Sequence, residues 1–200
     1  MGNPPHNEYY LEHLSPPRHS RYNILSGMSG VGKTTIGGLL TTAGYQQLRN
    51  VYTRPMRPNE SERNGIFVDE ITFMNWKREG RFATAKITNG VWHGLLLDEL
   101  KRVSETNMPT WADKSVSSLL KLDESVYDTA QLVYILPPSF NTLWNRLTKR
   151  EQGADSSLTV KEITRRLDEE IGELEQSIHL PYRYIVNDEV ERVAKTLLGA

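Results

Sequence analysis

The chain has 200 residues, of which 38% are hydrophobic and 24% charged, with a formal net charge of −1 and no cysteine. This composition supports a single compact domain with a real core. It excludes disulfides and thiolate metal sites, gives no basic surface for general nucleic-acid binding, and offers no apolar run near the roughly 20 residues that cross a bilayer. A cytoplasmic protein, with neither nucleic acid nor membrane as partner, is expected.

Residues 1–20 carry Pro4, Pro5, Pro16 and Pro17 and little apolar periodicity, so they read as an irregular arm before a domain over 21–200. Tyr22-Asn23-Ile24-Leu25 is a short buried strand that runs into a glycine-rich turn, and Thr34–Thr42 is a helix. From 45 to 94 the chain reads as an insert. It has a Pro- and Arg-rich turn, the apolar triplet Ile66-Phe67-Val68, a helix over Thr72–Gly80, and strands around Phe82–Thr88 and Val91–Trp92. Leu95–Val103 has helical spacing, Met108–Asp113 is a weak strand, and Leu119–Tyr127 is a further helix. Gln131–Leu136 is a β-branched strand stopped by Pro137-Pro138. Leu143–Arg150 is a basic helix, Glu151–Thr159 a polar loop, Val160–His179 a long charged helix, and Tyr182–Val186 a last strand before a closing helix. Apolar strands separated by helices imply an α/β fold, a parallel sheet with helices on both faces.

Gly27-Met28-Ser29-Gly30-Val31-Gly32-Lys33-Thr34 matches G-x-x-x-x-G-K-[ST] in full, with a strand before it and a helix after. Glycines let the backbone turn inward, so successive N–H groups point into one concavity, and the new helix adds its positive end. Gly27, Ser29, Gly30, Val31, Gly32, Lys33, Thr34 and Thr35 are the candidate nucleotide site. Lys33 would reach the β- and γ-phosphates of a nucleotide and the Thr34 hydroxyl would ligate Mg2+; the motif by itself fits more than one nucleotide, and fits hydrolysis as well as transfer. Arg54 and Arg57 sit three apart in a proline-stiffened turn, where paired guanidiniums suit a phosphate on a second, small-molecule substrate.

Tyr52-Thr53-Arg54-Pro55-Met56-Arg57-Pro58-Asn59-Glu60, taken with the loop, resembles the T-R-x-x-R-x-x-E stretch of the guanylate kinase family. Arg81-Phe82, Asn89-Gly90, His93-Gly94, Leu136-Pro137-Pro138-Ser139, Arg165-Arg166-Leu167 and Ile185-Val186-Asn187-Asp188 continue the likeness in order over 22–198. The resemblance implies a three-layer P-loop kinase: a core over about 21–44 and 95–200, an acceptor-binding insert over about 45–94, and a mobile lid over about 146–165. It implies γ-phosphoryl transfer from ATP to a nucleoside monophosphate. Arg146, Arg150 and Arg165 or Arg166 would neutralise the transferred group, Asn187 would touch the donor base, and Asn50, Thr84, His93 and Asp113 would line the acceptor site with the two arginines. The pattern also departs from the family. Thr84 stands where a base-reading glutamate is expected, Leu95 replaces a serine or threonine, Asn50 a serine, His93 a tyrosine and Ser115 an aspartate. The phosphate-binding parts are kept and the guanine-reading parts are not. A ribose phosphate as acceptor, or a non-catalytic binding module, are the alternatives. The histidines show no metal-ligand spacing.

Overall fold

The computed structural model describes residues 22–57, 60–88, 90–121, 129–152 and 160–199, apart from the side chains of 150–152, 160–163 and 166. The arm over 1–20, most of the helix expected at 119–127 and most of the loop expected at 151–159 lie outside the described residues.

A five-stranded parallel sheet forms the core, in the order β2-β7-β1-β8-β9. Its strands are β1 (Tyr22–Gly27), β2 (Gln46–Leu48), β7 (Thr110–Asp113), β8 (Ala130–Leu136) and β9 (Arg183–Val186). Central β1 places Leu25 opposite Asp113 on one side and Val133 on the other. Parallel strands covered on both faces read as nearly continuous apolar runs, and Ile24 and Leu25 are both buried. On one face, Leu25, Val133 and Ile135 pack with Ile36 and Leu40 of α1 (Lys33–Thr42), Leu143 of α5 (Phe140–Gln152) and Val193 of α7 (Val190–Leu198). On the other, Ile24, Ala112 and Leu132 pack with Val103 of α3 (Leu97–Ser104) and Leu119 of α4 (Val116–Leu119). Leu174 of α6 (Val160–Ser177) joins this second cluster.

The weak strand of the sequence reading turns out to be interior. β7 lies between β2 and β1, and Thr110, Trp111 and Ala112 are all buried. Trp111 is accommodated by Gly37, because a Cβ there would overlap the indole ring.

A second sheet, in the order β4-β3-β6-β5, is formed by β3 (Asn50–Tyr52), β4 (Gly65–Phe67), β5 (Phe82–Thr88) and β6 (Val91–Leu96). Helix α2 (Glu70–Arg78) covers it through Phe73, which packs with Val51 and Leu96. Asp69 starts this helix by accepting from Thr72 N at 2.6 Å. Two features here were not anticipated. β2 belongs to the core sheet, so the chain changes sheets at Arg49, between β2 and β3. Leu95 and Leu96 belong to β6, so α3 begins only at Leu97.

Candidate functional site

The phosphate loop is built by conformations that side chains resist. Gly27, Gly30 and Gly32 have φ of 134°, 85° and 102°. A Cβ on Gly27 would strike the carbonyl of Ile135 in β8, and one on Gly32 would come within 2.6 Å of the Asn187 amide. Val31 is fully buried, which anchors the loop to the core. Lys33 Nζ donates to the carbonyls of Gly27 at 2.6 Å and Met28 at 3.2 Å, so the ammonium is folded across the loop's own backbone. Thr34 and Thr35 are exposed in the first turn of α1.

Asn187 is placed differently from the family-based expectation. It is fully buried beneath the loop, where Nδ2 donates to Val31 O at 2.6 Å, and Oδ1 has no hydrogen-bond partner among the described residues. The geometry makes it a brace for the loop.

A cleft of about 720 Å³ runs from the loop to the second sheet, lined by Ser29 and Lys33 on one side and by Arg54, Arg57, Lys86 and His93 on the other. An adjoining space of about 280 Å³ adds Thr34, Asn50, Tyr52 and Thr84. Asp113, at the end of β7, borders both.

Arg54 is held firmly. It donates to both Glu60 oxygens at 2.7 and 2.6 Å, and its guanidinium lies 4.8 Å from the Tyr52 ring centre and 5.3 Å from that of Phe67. Burial pushes the Glu60 carboxyl up, but hydrogen bonds from Arg54 and from Arg57 N outweigh it and leave the group below its ordinary value. Arg57 is half exposed, with its guanidinium 3.6 Å from Glu60.

Asn50 ties the second sheet to the core. Its Nδ2 donates to Asp113 O at 3.0 Å, and its Oδ1 accepts from Lys114 Nζ. Burial brings the Lys114 ammonium down to about 7, against the pull of Asp113 and Glu99. His93 sits edge-on to Tyr52, with ring centres 5.2 Å apart. Burial, with Lys86 and Arg54 adding to it, lowers its pKa to about 4, so the imidazole is neutral at physiological pH.

Among the cleft residues that the sequence reading did not assign to the site are Lys86, Lys114, Glu170 and Glu173. Glu170 Oε1 accepts from the loop's own Ser29 N at 3.0 Å, and burial raises its carboxyl above the ordinary range. Glu173 Oε2 accepts from Ser117 N at 3.1 Å. The only sequence signal was the alternation Thr84-x-Lys86-x-Thr88 on β5, which puts all three on one wall. Leu95, in contrast, is buried in the core and presents nothing to the cleft. Trp92 packs against Phe73, while its neighbour His93 lines the cleft. Arg146 lies on α5 and is not among the residues lining the cleft. Arg165 pairs with Glu169 on α6. The side chains of Arg150 and Arg166 and residues 153–159 of the expected lid lie outside the described residues.

Comparison with known proteins places most of the chain. The model of the guanylate kinase family matches residues 19–199. A guanylate kinase of Legionella pneumophila (strain Paris) is 31% identical over 178 residues, 87% of this chain and 81% of that protein. One from Oleidesulfovibrio alaskensis is 31% identical over 187 residues, 92% of this chain and 87% of that protein. The crystal structure of guanylate kinase from Anaplasma phagocytophilum superposes with a TM-score of 0.66 at 21% identity, covering 91% of this chain and 85% of that one. No helix among the described residues is long and apolar enough to cross a membrane.

Proposed function

Since the chain belongs to the guanylate kinase family, we propose that it transfers the γ-phosphoryl group of ATP, with Mg2+, to a nucleoside monophosphate. The observation that carries this reading is that the phosphate loop and the Arg54–Arg57 pair face one another across a single cleft. Phosphoryl transfer asks the protein for alignment and charge neutralisation more than for covalent chemistry. Lys33, now satisfied by Gly27 O and Met28 O, exchanges those carbonyls for phosphate oxygens. The exposed Thr34 hydroxyl suits a small, hard cation that keeps most of its ligands as water and phosphate, and Asp113 is positioned to orient that water shell. Arg54 is pre-oriented by Glu60 and two rings, so little of its side-chain freedom remains to be lost on binding the acceptor phosphate. Arg57 adds a second guanidinium. Arg146, Arg150 and Arg166 are proposed to neutralise the transferred group when the lid segment closes.

Guanosine monophosphate, the acceptor for which the relatives are named, is the first to test. ADP release is measured with ATP, Mg2+ and a panel of monophosphates. Lys33→Ala is expected to remove turnover at least a hundredfold while the circular dichroism spectrum is unchanged. Arg54→Ala and Arg57→Ala are expected to raise the acceptor KM or lower kcat, with the KM for ATP unaltered. Turnover that survives Lys33→Ala would overturn the donor site. Arginine variants that weaken only ATP would overturn the division of the cleft.

A further inference from the structure

Lys86 occupies the middle of β5, opposite His93 of β6. Strand alternation brings Thr84, Lys86 and Thr88 to the same wall, where they border the cleft beside His93. A lysine half buried in such a strand is unusual unless something holds its charge. Here Nζ donates to Ser115 Oγ at 2.6 Å and Ser117 Oγ at 3.0 Å. Among the described residues the carboxylate that pairs with it, Glu173, is 3.9 Å away, beyond hydrogen-bond range. An ammonium has three N–H donors, so among the described residues one remains to face the cleft.

The carboxylates on this side already have partners. Glu173 accepts from Ser117 N and Oγ, Glu60 from Arg54, Glu170 through Oε1 from Ser29 N, and Glu169 pairs with Arg165. Asp113 lies across the floor at the end of β7, on the core side. The wall formed by β5 and β6 therefore offers an ammonium, two threonine hydroxyls and one neutral imidazole, and among the described residues the carboxylates of the cleft come from other elements.

Resting on the monophosphate kinase reading, we propose that Lys86 determines base specificity. It selects nucleoside monophosphates whose base carries ring carbonyls and no exocyclic amino group, as in uracil, thymine, hypoxanthine and xanthine. A carbonyl oxygen accepts the remaining Lys86 N–H. An exocyclic amine set directly opposite Lys86 meets a donor with a donor. A buried polar group left without its partner is penalised heavily, which is how a site rejects a near-isosteric substrate.

The test compares kcat/KM, with saturating ATP and Mg2+, for dUMP, dTMP, IMP and XMP against GMP, dGMP, AMP and CMP. The best amine-free acceptor is expected to exceed every amine-bearing one by tenfold or more. Lys86→Met, which keeps the aliphatic stem, is expected to cut kcat/KM for that acceptor by about ten- to a hundredfold. The KM for ATP should stay unchanged, and the gap to GMP should narrow. The wild-type ranking is decisive even where the variant folds poorly. A preference short of tenfold, a preference for GMP, or a Lys86→Met loss equal for all acceptors overturns the assignment of Lys86 and leaves the kinase reading standing. No ADP release with any of the eight overturns both.

Discussion

Glu99→Gln tests how the two sheets are held at their junction. Glu99 Oε1 accepts from Arg49 Nη2 at 2.5 Å, and Oε2 accepts from Arg49 Nε at 3.2 Å and Arg49 N at 3.3 Å. Arg102 adds bonds from Nε at 3.1 Å and Nη2 at 2.9 Å. Its Nη2 also reaches Gln47 O at 2.7 Å, so both edges of the sheet-changing residue are gripped. Burial pushes the Glu99 carboxyl up, but the hydrogen bonds from Arg49 and Arg102 overcome this and bring it down from 4.5 to about 2. At 1.36 kcal/mol per pH unit, that fall corresponds to about 3 kcal/mol. Glu99 is only 4% exposed, but the side chains of Arg49 and Arg102 are 30% and 37% exposed, so solvent screening trims the expectation to about 2–3 kcal/mol. The sign follows from the depressed value. The contribution is complete above pH 4.5, where the unfolded chain is also ionised, and is lost as pH falls toward 2. Urea unfolding of wild type and variant at pH 7 should therefore differ by about 2–3 kcal/mol. By pH 3 the gap should shrink to less than half. A gap of equal size at both pH values would refute the reasoning, because it would then arise from shape and not from charge.

Two further outcomes are expected. Gly37→Ala places a methyl group against the buried Trp111 indole, an overpacking cost of about 1–3 kcal/mol; an unchanged Tm would show that the ring moves aside freely. Glu170→Gln removes a negative charge from the phosphate loop at Ser29, and the KM for ATP is expected to fall severalfold. Because burial raises the Glu170 carboxyl, wild-type KM for ATP should also fall as pH is lowered toward that value, and the variant should lose this dependence. A rise in KM would mean that the carboxylate supports the nucleotide.

The phosphate loop was legible in the sequence because its chemistry leaves few alternatives. Left-handed backbone at Gly30 and Gly32 demands glycine, and the lysine must follow at a fixed distance. The α/β class was equally visible, since β1 and β8 are buried on both faces and look it. β2 was hidden because Gln46-Gln47-Leu48 is mostly polar, as an edge strand can be. The start of α3 was obscured because Leu95-Leu96-Leu97 is apolar across a strand-to-helix change, where periodicity gives no signal. Lys86, Lys114 and Glu170 escaped for another reason. They come from β5, the end of β7 and α6, and only the tertiary pairing of those segments shows that they share a cleft. Asn187 was seen as functional, but its burial beneath Val31 depends on β9 packing against the loop from far along the chain.

The strand that carries the phosphate loop has both of its neighbours late in the sequence: Tyr22 pairs with Thr110 and with Ala130. During synthesis the ribosome must deliver the whole second sheet before β1 meets its first partner. Pairings of such long separation form slowly, since the intervening chain has to be looped out first. The four strands of the second sheet, in contrast, all lie between Asn50 and Leu96 and can find one another locally. The sheet on the acceptor side can thus pair before the core sheet does, while Asn50 and Lys86 still await their partners at Asp113, Lys114, Ser115 and Ser117. The loop acquires its floor with β8, through Ile135 behind Gly27, and its brace only when Asn187 arrives. A nascent chain ending before β7 would contain every residue of the nucleotide signature and none of the surface that shapes it.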